Sequence, residues 1–331
     1  MKKPTYIVTG ASGHLGSHVV NKLLMQGNKV RALLLPHETC PDFVSENRNN
    51  LREYVGNLCV KASLEQIFYE DAPSELVVIH CAGLISITSQ KDNRMFEVNV
   101  GGTANIIEMC MRYPVKRLVY ISSVHAIPLL PHGQTMQEVE SFDPDKVQGQ
   151  YDKTKAMATQ LVLDAYKSGL DVVVIHPSGI IGPHGLPTGN MSHLVKCYID
   201  GKLPLVIHGE YDFVDVRDVA NGIISAAIRG GNGECYILSN RLISFGEIFE
   251  TLSKICGNKR KSVYIPIWIA KAVTPFTELY YFLADKTPLF TKYSLRKLSE
   301  NGSYSNEKAK RELDYCTRPL EETLSDTVVL G

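Results

Sequence analysis

Net charge is what this 331-residue sequence most plainly lacks: lysine plus arginine total 35, aspartate plus glutamate total 35, and the formal charge is zero. No basic block interleaved with aromatics runs along it, so nucleic acid is not expected as a partner. Paired cysteines are missing as well. The eight cysteines, Cys40, Cys59, Cys81, Cys110, Cys197, Cys235, Cys256 and Cys316, are scattered without a C-x-x-C pair. They read as reduced core thiols of a cytoplasmic protein, neither a disulfide framework nor a zinc site, and no metal site is expected. Long apolar runs are also absent. The opening MKKPTYIVTGAS holds too brief an apolar stretch for a signal segment. Residues 264–284 are broken by Pro266, Lys271, Pro275 and Glu278, short of the ~20 apolar residues a membrane span needs. A lobe helix is expected there, with Tyr280 and Tyr281 packing in it or lining a pocket, and no transmembrane segment. No internal repeat or low-complexity tract is present.

What is present is an ordinary globular composition, 44% hydrophobic and 21% charged. Short β-branched runs occur at 5–9, 29–35, 75–81, 117–122 and 171–176, apolar enough to be buried on both faces. Helix-period segments at 14–26, 63–70, 99–112 and 151–168 lie between them. This alternation predicts an α/β fold with a Rossmann-type, doubly wound parallel sheet. After residue 183 the rhythm fails, leaving turns (GPHGLPTGN) and isolated strands such as GECYIL (233–238). The expected division is a dinucleotide-binding domain over 1–183 and a smaller C-terminal substrate lobe, mainly 184–331. Elements near 213–228, beginning with FVDVRDVA, are expected to return to the first domain.

The first strand runs straight into TGASGHLG (9–16), which opens the first helix. Gly10 permits a tight exit from the strand, Gly13 lets backbone N–H groups approach a pyrophosphate, and Gly16 lets the helix sit close to the sheet. The free N–H groups of a helix N-terminus complete an anion site, so a dinucleotide is the expected ligand. Selectivity between NAD and NADP is normally set at the end of the second strand, by an acid on the ribose 2'-hydroxyl or an arginine on a 2'-phosphate. Here Leu34 and Leu35 stand in those places, within LLLPHE, and the nearby basic side chains are Arg31 and His37. With no acid at these positions, the sequence leans towards NADP over NAD.

YDKTKA (151–156) sets Tyr151 one turn ahead of Lys155, about 6 Å along a helix axis and on one face. An ammonium beside a phenol favours the phenolate, so Lys155 is expected to lower the Tyr151 pKa from about 10. Context gives the pair meaning. VYISSVHA (119–126) carries a buried strand into Ser122 and Ser123 at its carboxyl end, the edge at which doubly wound sheets bind ligands.

Together these motifs resemble the extended short-chain dehydrogenase/reductases, and the likeness spans nearly the whole chain. It is carried by TGASGHLG, GNL (56–58), HCAG (80–83), NVGGT (99–103), SSVHA, YDKTK, HPSGIIGP (176–183) and FVDVRDVA. The closing segment from Lys286 is similar to the dihydroflavonol-reductase and 3β-hydroxysteroid-dehydrogenase branch. The resemblance implies Tyr151 as general acid/base, Lys155 as its modulator and ribose ligand, and Ser123 as donor to the substrate oxygen, with Ser122 the alternative. It implies Gly10, Ser12, Gly13, His14, Leu15 and Gly16 around the pyrophosphate, and Leu34, His37, Asn57 and Leu58 towards the adenosine. Cys81, Ala82 and Gly83 would run along the cofactor, and Pro177 and Ser178 would border the nicotinamide. Asn57 stands where the family usually has aspartate, and His176 where arginine often precedes the proline. Ile85, His125, Asn190, Met191 and Phe213 are candidates to touch substrate. The implied activity is an NAD(P)-dependent reductase or dehydrogenase for a moderately apolar ketone, aldehyde or secondary alcohol. The alternatives are a nucleotide-sugar epimerase or dehydratase that keeps its cofactor, and a non-catalytic dinucleotide-binding scaffold. Helices 99–112 and 151–168 could pair across a two-fold axis in a homodimer.

Overall fold

Apolar residues that fill both faces of a strand demand cover on both sides, and the strands of the main sheet receive it. The computed structural model describes residues 3–44, 47–69, 75–85, 92–185, 190–202, 205–257, 263–274 and 291–330. Its main sheet joins β1 (Thr5–Thr9), β2 (Lys29–Leu34), β3 (Leu51–Val55), β4 (Leu76–His80), β5 (Val115–Ile121), β6 (Val172–Pro177) and β10 (Glu234–Leu238) in the order β10-β6-β5-β4-β1-β2-β3. All pairings in it are parallel. Every residue of β1, β4 and β6 is buried.

Alternate residues of β1 feed two cores. Tyr6 and Val8 pack with Val19, Val20 and Leu23 of α1 (His14–Met25) and with Val219 and Ile223 of α7 (Val216–Arg229). Ile7 packs on the other face with Ile106 and Met109 of α4 (Thr103–Arg112) and Val162 of α5 (Gln150–Lys167). Minor helices are α2 (Glu65–Phe68), after a 3-10 turn at Lys61–Leu64, and α3 (Asn93–Phe96), which runs through a π-helical stretch, Glu97–Gly102, into α4. The helix expected over 99–112 therefore starts earlier, and residue 70 of the one expected over 63–70 lies outside the described residues.

The smaller lobe carries α6 (Asn190–Ile199), α8 (Phe245–Cys256) and two small sheets. One orders β11 (Arg241–Ser244), β9 (Glu210–Asp215) and β7 (Gly179–Ile181); the other pairs β8 (Leu205–Ile207) with β12 (Val263–Ile265). After β12 a helix runs over 267–274, within the stretch where a lobe helix is expected, and further along the described residues come α9 (Lys292–Lys297), α10 (Glu307–Leu313) and α11 (Leu320–Leu330). Leu313 and Tyr315 belong to the same core as α1 and α7.

Two expectations need correction. GECYIL is not an isolated strand, because β10 runs parallel to β6 in register Glu234↔Val173 to Leu238↔Pro177. The sequence reading also missed β3, an edge strand whose Arg52 and Glu53 face solvent and hide the strand pattern.

Candidate functional site

The strand order reverses at β1, which lies between β2 and β4, and the crevice at such a reversal is where doubly wound sheets take ligands. Gly10 turns out of β1 with φ +66°, and a Cβ there would lie 2.8 Å from the Ala82 backbone. A Cβ on Gly16 would collide with the Gly10 carbonyl oxygen. The cradle thus exists only with hydrogens at these positions. α1 starts with no side-chain cap on its free N–H groups, an arrangement suited to a pyrophosphate. Ser12, Gly13 and Leu15 are half-buried in this turn. The His14 imidazole turns away to the Pro183 carbonyl at 2.9 Å, joined there by His18 at 3.1 Å. Burial lowers both histidines, His18 to about 4.

At the end of β2 the sequence reading is corrected. Leu34 is buried in the core, and the Arg31 guanidinium donates to the carbonyls of Ile67 and Tyr69 at 2.7 and 3.1 Å. An acid does reach this place. The chain turns through His37, exposed and with φ 69°, and brings Glu38 back. The Glu38 carboxylate accepts from the Ser12 hydroxyl at 2.7 Å and from the Leu35 N–H at 3.1 Å. Beyond β3, exposed Asn57 accepts the Cys59 N–H on its side chain, while Leu58 is buried against Gly102. Ala82 stands between Cys81, whose thiol burial pushes up to about 12, and Gly83. A Cβ on Gly83 would sit 3.3 Å from both the Lys155 Nζ and the Asn99 Oδ1. A line of close approaches, Gly10 to Ala82 and Gly83 to Lys155, therefore leads from the glycine turn to Lys155.

β5 delivers the serines, and the structure gives them different partners. Ser122 Oγ is buried on Thr159 Oγ1 at 2.6 Å. Ser123 Oγ accepts the His125 N–H at 3.2 Å and acts on the Tyr151 phenol. Behind it, His176 Nδ1 donates to the Ser123 carbonyl at 2.9 Å, and its ring stacks on Phe142 at 5.1 Å. Burial keeps His176 near 4, hence neutral at pH 7.

Tyr151 and Lys155 both lie on the buried face of α5. The expected lowering of Tyr151 by Lys155 is not what this arrangement gives. Lys155 Nζ donates to the Ile121 carbonyl at 2.8 Å, over the Tyr120 ring at 5.3 Å, and burial brings it down to about 8. Burial raises Tyr151 above its usual 10, with Ser123 acting in the opposite sense. Pro177 is buried at the end of β6, and the Ser178 hydroxyl is tied to Asp212 Oδ1 at 2.5 Å.

The substrate candidates disperse. Ile85 is 71% exposed, Phe213 is buried in the smaller lobe's core, and Met191 packs against that core. The Asn190 side chain, Tyr280 and Tyr281 lie outside the described residues. His125 has both nitrogens engaged: Nε2 with the Tyr211 hydroxyl at 2.7 Å, and Nδ1 with the Tyr293 hydroxyl at 3.1 Å and Asp152 Oδ1 at 3.2 Å. Sequence reasoning missed Asp152, Tyr293 and Lys297. The adjacency of Asp152 to Tyr151 and the i, i+4 spacing of Tyr293 and Lys297 were signals, but nothing in the sequence joined them.

Comparison with known proteins agrees with this architecture. The sequence model of the NAD dependent epimerase/dehydratase family matches residues 6–238. A putative dihydroflavonol 4-reductase of Synechocystis is 27% identical over 98% of this chain and 93% of its own length. The 3beta-hydroxysteroid-dehydrogenase/decarboxylase isoform 1 of Arabidopsis thaliana is 31% identical over 97% of this chain and 78% of its own. The crystal structure of gox2253 superposes with a TM-score of 0.81 at 27% identity, covering 99% of this chain and 98% of that one.

Proposed function

The chain belongs to the NAD dependent epimerase/dehydratase family, and from that premise we propose that it moves a hydride between a nicotinamide and a moderately apolar ketone, aldehyde or secondary alcohol. It is a nicotinamide-dependent short-chain dehydrogenase/reductase enzyme; the substrate and direction are the proposal. The observation that carries it is the gathering of Ser123, Tyr151 and Lys155 beyond the carboxyl end of β5, with Gly83 packed closely beside Lys155 and its neighbour Ala82 beside Gly10 of the glycine turn. A dinucleotide bound there supplies or accepts the hydride. Tyr151 gives its proton to the carbonyl oxygen in reduction and takes one back in oxidation. Ser123 accepts the His125 N–H and faces the Tyr151 phenol, so a substrate oxygen entering between them takes up the Ser123 hydroxyl proton. Lys155, anchored on the Ile121 carbonyl, turns its remaining donors to the Gly83 side, where a ribose would lie.

The leaning towards NADP rested on a missing acid, and Glu38 supplies one from further along the loop. Its carboxylate beside Ser12 is suited to a ribose 2'-hydroxyl and repels a 2'-phosphate, so we take NAD as preferred. The nucleotide-sugar alternative calls for cations around a diphosphate, yet Arg217, Arg241 and Arg318 are each paired with carboxylates of Asp215, Glu247 and Asp218. A homodimer through α4 and α5 stays within the proposal, since Met111 and Leu161 on them are exposed, as does a cytoplasmic setting for the free thiols. The test follows absorbance of NADH and NADPH with the purified protein against ketones, aldehydes and nucleotide sugars. NADH consumption with an apolar ketone is expected, falling about 1,000-fold in Tyr151→Phe. Sugar conversion without net cofactor consumption would sink the redox reading.

A further inference from the structure

We infer that Asp152 is a positioning residue for Tyr151, and that through its carboxylate α9 of the C-terminal segment becomes part of the reacting centre. This rests on the reading of Tyr151 as the proton-transfer group. Tyr151 is the second residue of α5, in the turn where helix N–H groups have no partners within the helix. Its N-cap, Gly149, has φ 120° and offers no side-chain cap. Such a turn frays unless something outside the helix holds it.

The Gln150 side chain ties it to the Asp92 backbone at 2.9 and 2.7 Å, and α9 holds it from the other side. The Arg296 guanidinium donates to the Gln148 carbonyl at 2.5 Å. The Tyr293 ring lies over Gly149 so closely that a Cβ there would come within 2.8 Å of it. The Tyr293 hydroxyl donates to Asp152 Oδ1 at 2.5 Å, and Lys297 Nζ reaches Asp152 Oδ2 at 2.7 Å. Tyr293 and Lys297 are four apart, so one face of α9 brings both to the same carboxylate. Asp152 is only 1% exposed, a buried charge matched by Lys297, which in turn meets Glu300 at 2.9 Å.

The same carboxylate reaches the serine. His125 Nδ1 lies 3.2 Å from Asp152 Oδ1, the His125 ring packs edge-on to the Tyr151 ring at 5.8 Å, and the His125 N–H holds Ser123 Oγ. Phenol and hydroxyl, which must meet one substrate oxygen, are thus referenced to one anchor.

The experiment compares Asp152→Asn, Tyr293→Phe and, as control, Lys153→Ala, whose ammonium pairs with Asp145 on the exposed side of α5. Amide hydrogen exchange is read by mass spectrometry at 9–16, 148–156 and 292–300, beside steady-state kinetics. Asp152→Asn is expected to lose about 100-fold in kcat with the cofactor KM within about twofold, the signature of misplacement by roughly 1 Å. Exchange should quicken at 148–156 and 292–300 together and stay unchanged at 9–16. Because Asp152→Asn leaves the buried Lys297 with Glu300 as its remaining carboxylate and removes a buried charge on which it is balanced, Tyr293→Phe provides the milder arm, with about a tenfold kcat loss and the same exchange pattern. Unchanged kcat in both variants, or quickened exchange confined to 292–300, overturns the inference. If the parent protein turns over no carbonyl or alcohol, the redox reading falls alone, and the exchange pattern still decides whether Asp152 positions Tyr151.

Discussion

Burial moves Tyr151 and Lys155 in opposite directions, the phenol above 10 and the ammonium down to about 8. A phenol so placed keeps its proton until an acceptor oxygen arrives, which suits the donor of a reduction. The lysine bears a stability cost for this site. In the unfolded chain it keeps its proton to about 10.4, whereas in the folded protein it releases it near 8, so below pH 8 folding must bury a charge. Its folded value is the depressed one. Between about pH 8 and 10.4 the unfolded state therefore binds more protons, and this group makes stability rise with pH. Lys155→Met is accordingly expected to melt higher than the parent at pH 7 while losing activity, with the gap narrowing by pH 10. Urea titrations at pH 7, 9 and 10 check this, and a gap that widens with pH would contradict it.

Elements explain why some residues were legible in sequence and others were not. Strands β1, β4, β5 and β6 announce themselves because burial on both faces forces an apolar run, and the glycine turn because only glycine fits at Gly10 and Gly16. Ser122 and Ser123 could not be told apart as neighbours. Their surroundings separate only when α5 packs across β5 and brings Thr159 to one and Tyr151 to the other. Glu38 was hidden for a similar reason: three residues past Leu35 it has no strand position, and only the turn at His37 returns it to Ser12. Glu38→Gln is expected to raise the ratio of kcat/KM for NADP to that for NAD by about tenfold or more, since one repulsive charge is removed. Initial rates with the two cofactors at fixed low ionic strength measure it; an unmoved ratio refutes the assignment.

At the scale of the whole molecule, the chain does not divide in space where it divides in sequence. β10 closes the free edge of β6, α7 packs on α1, and Leu313 and Tyr315 enter the core beneath them. A fragment ending at residue 183 would lose all three and expose the β6 edge. It is expected to lack a cooperative thermal transition by circular dichroism, whereas the full chain shows one; a cooperative melt of the fragment would make 1–183 a self-sufficient domain. The late arrival of β10 matters before the enzyme is finished. Translation proceeds from the amino terminus, so the ribosome releases β6 well ahead of the strand that pairs with it. For that interval the newborn sheet offers the open hydrogen-bonding row of β6 to any neighbouring chain, and self-association through this particular strand is a hazard of the nascent polypeptide that β10 later removes.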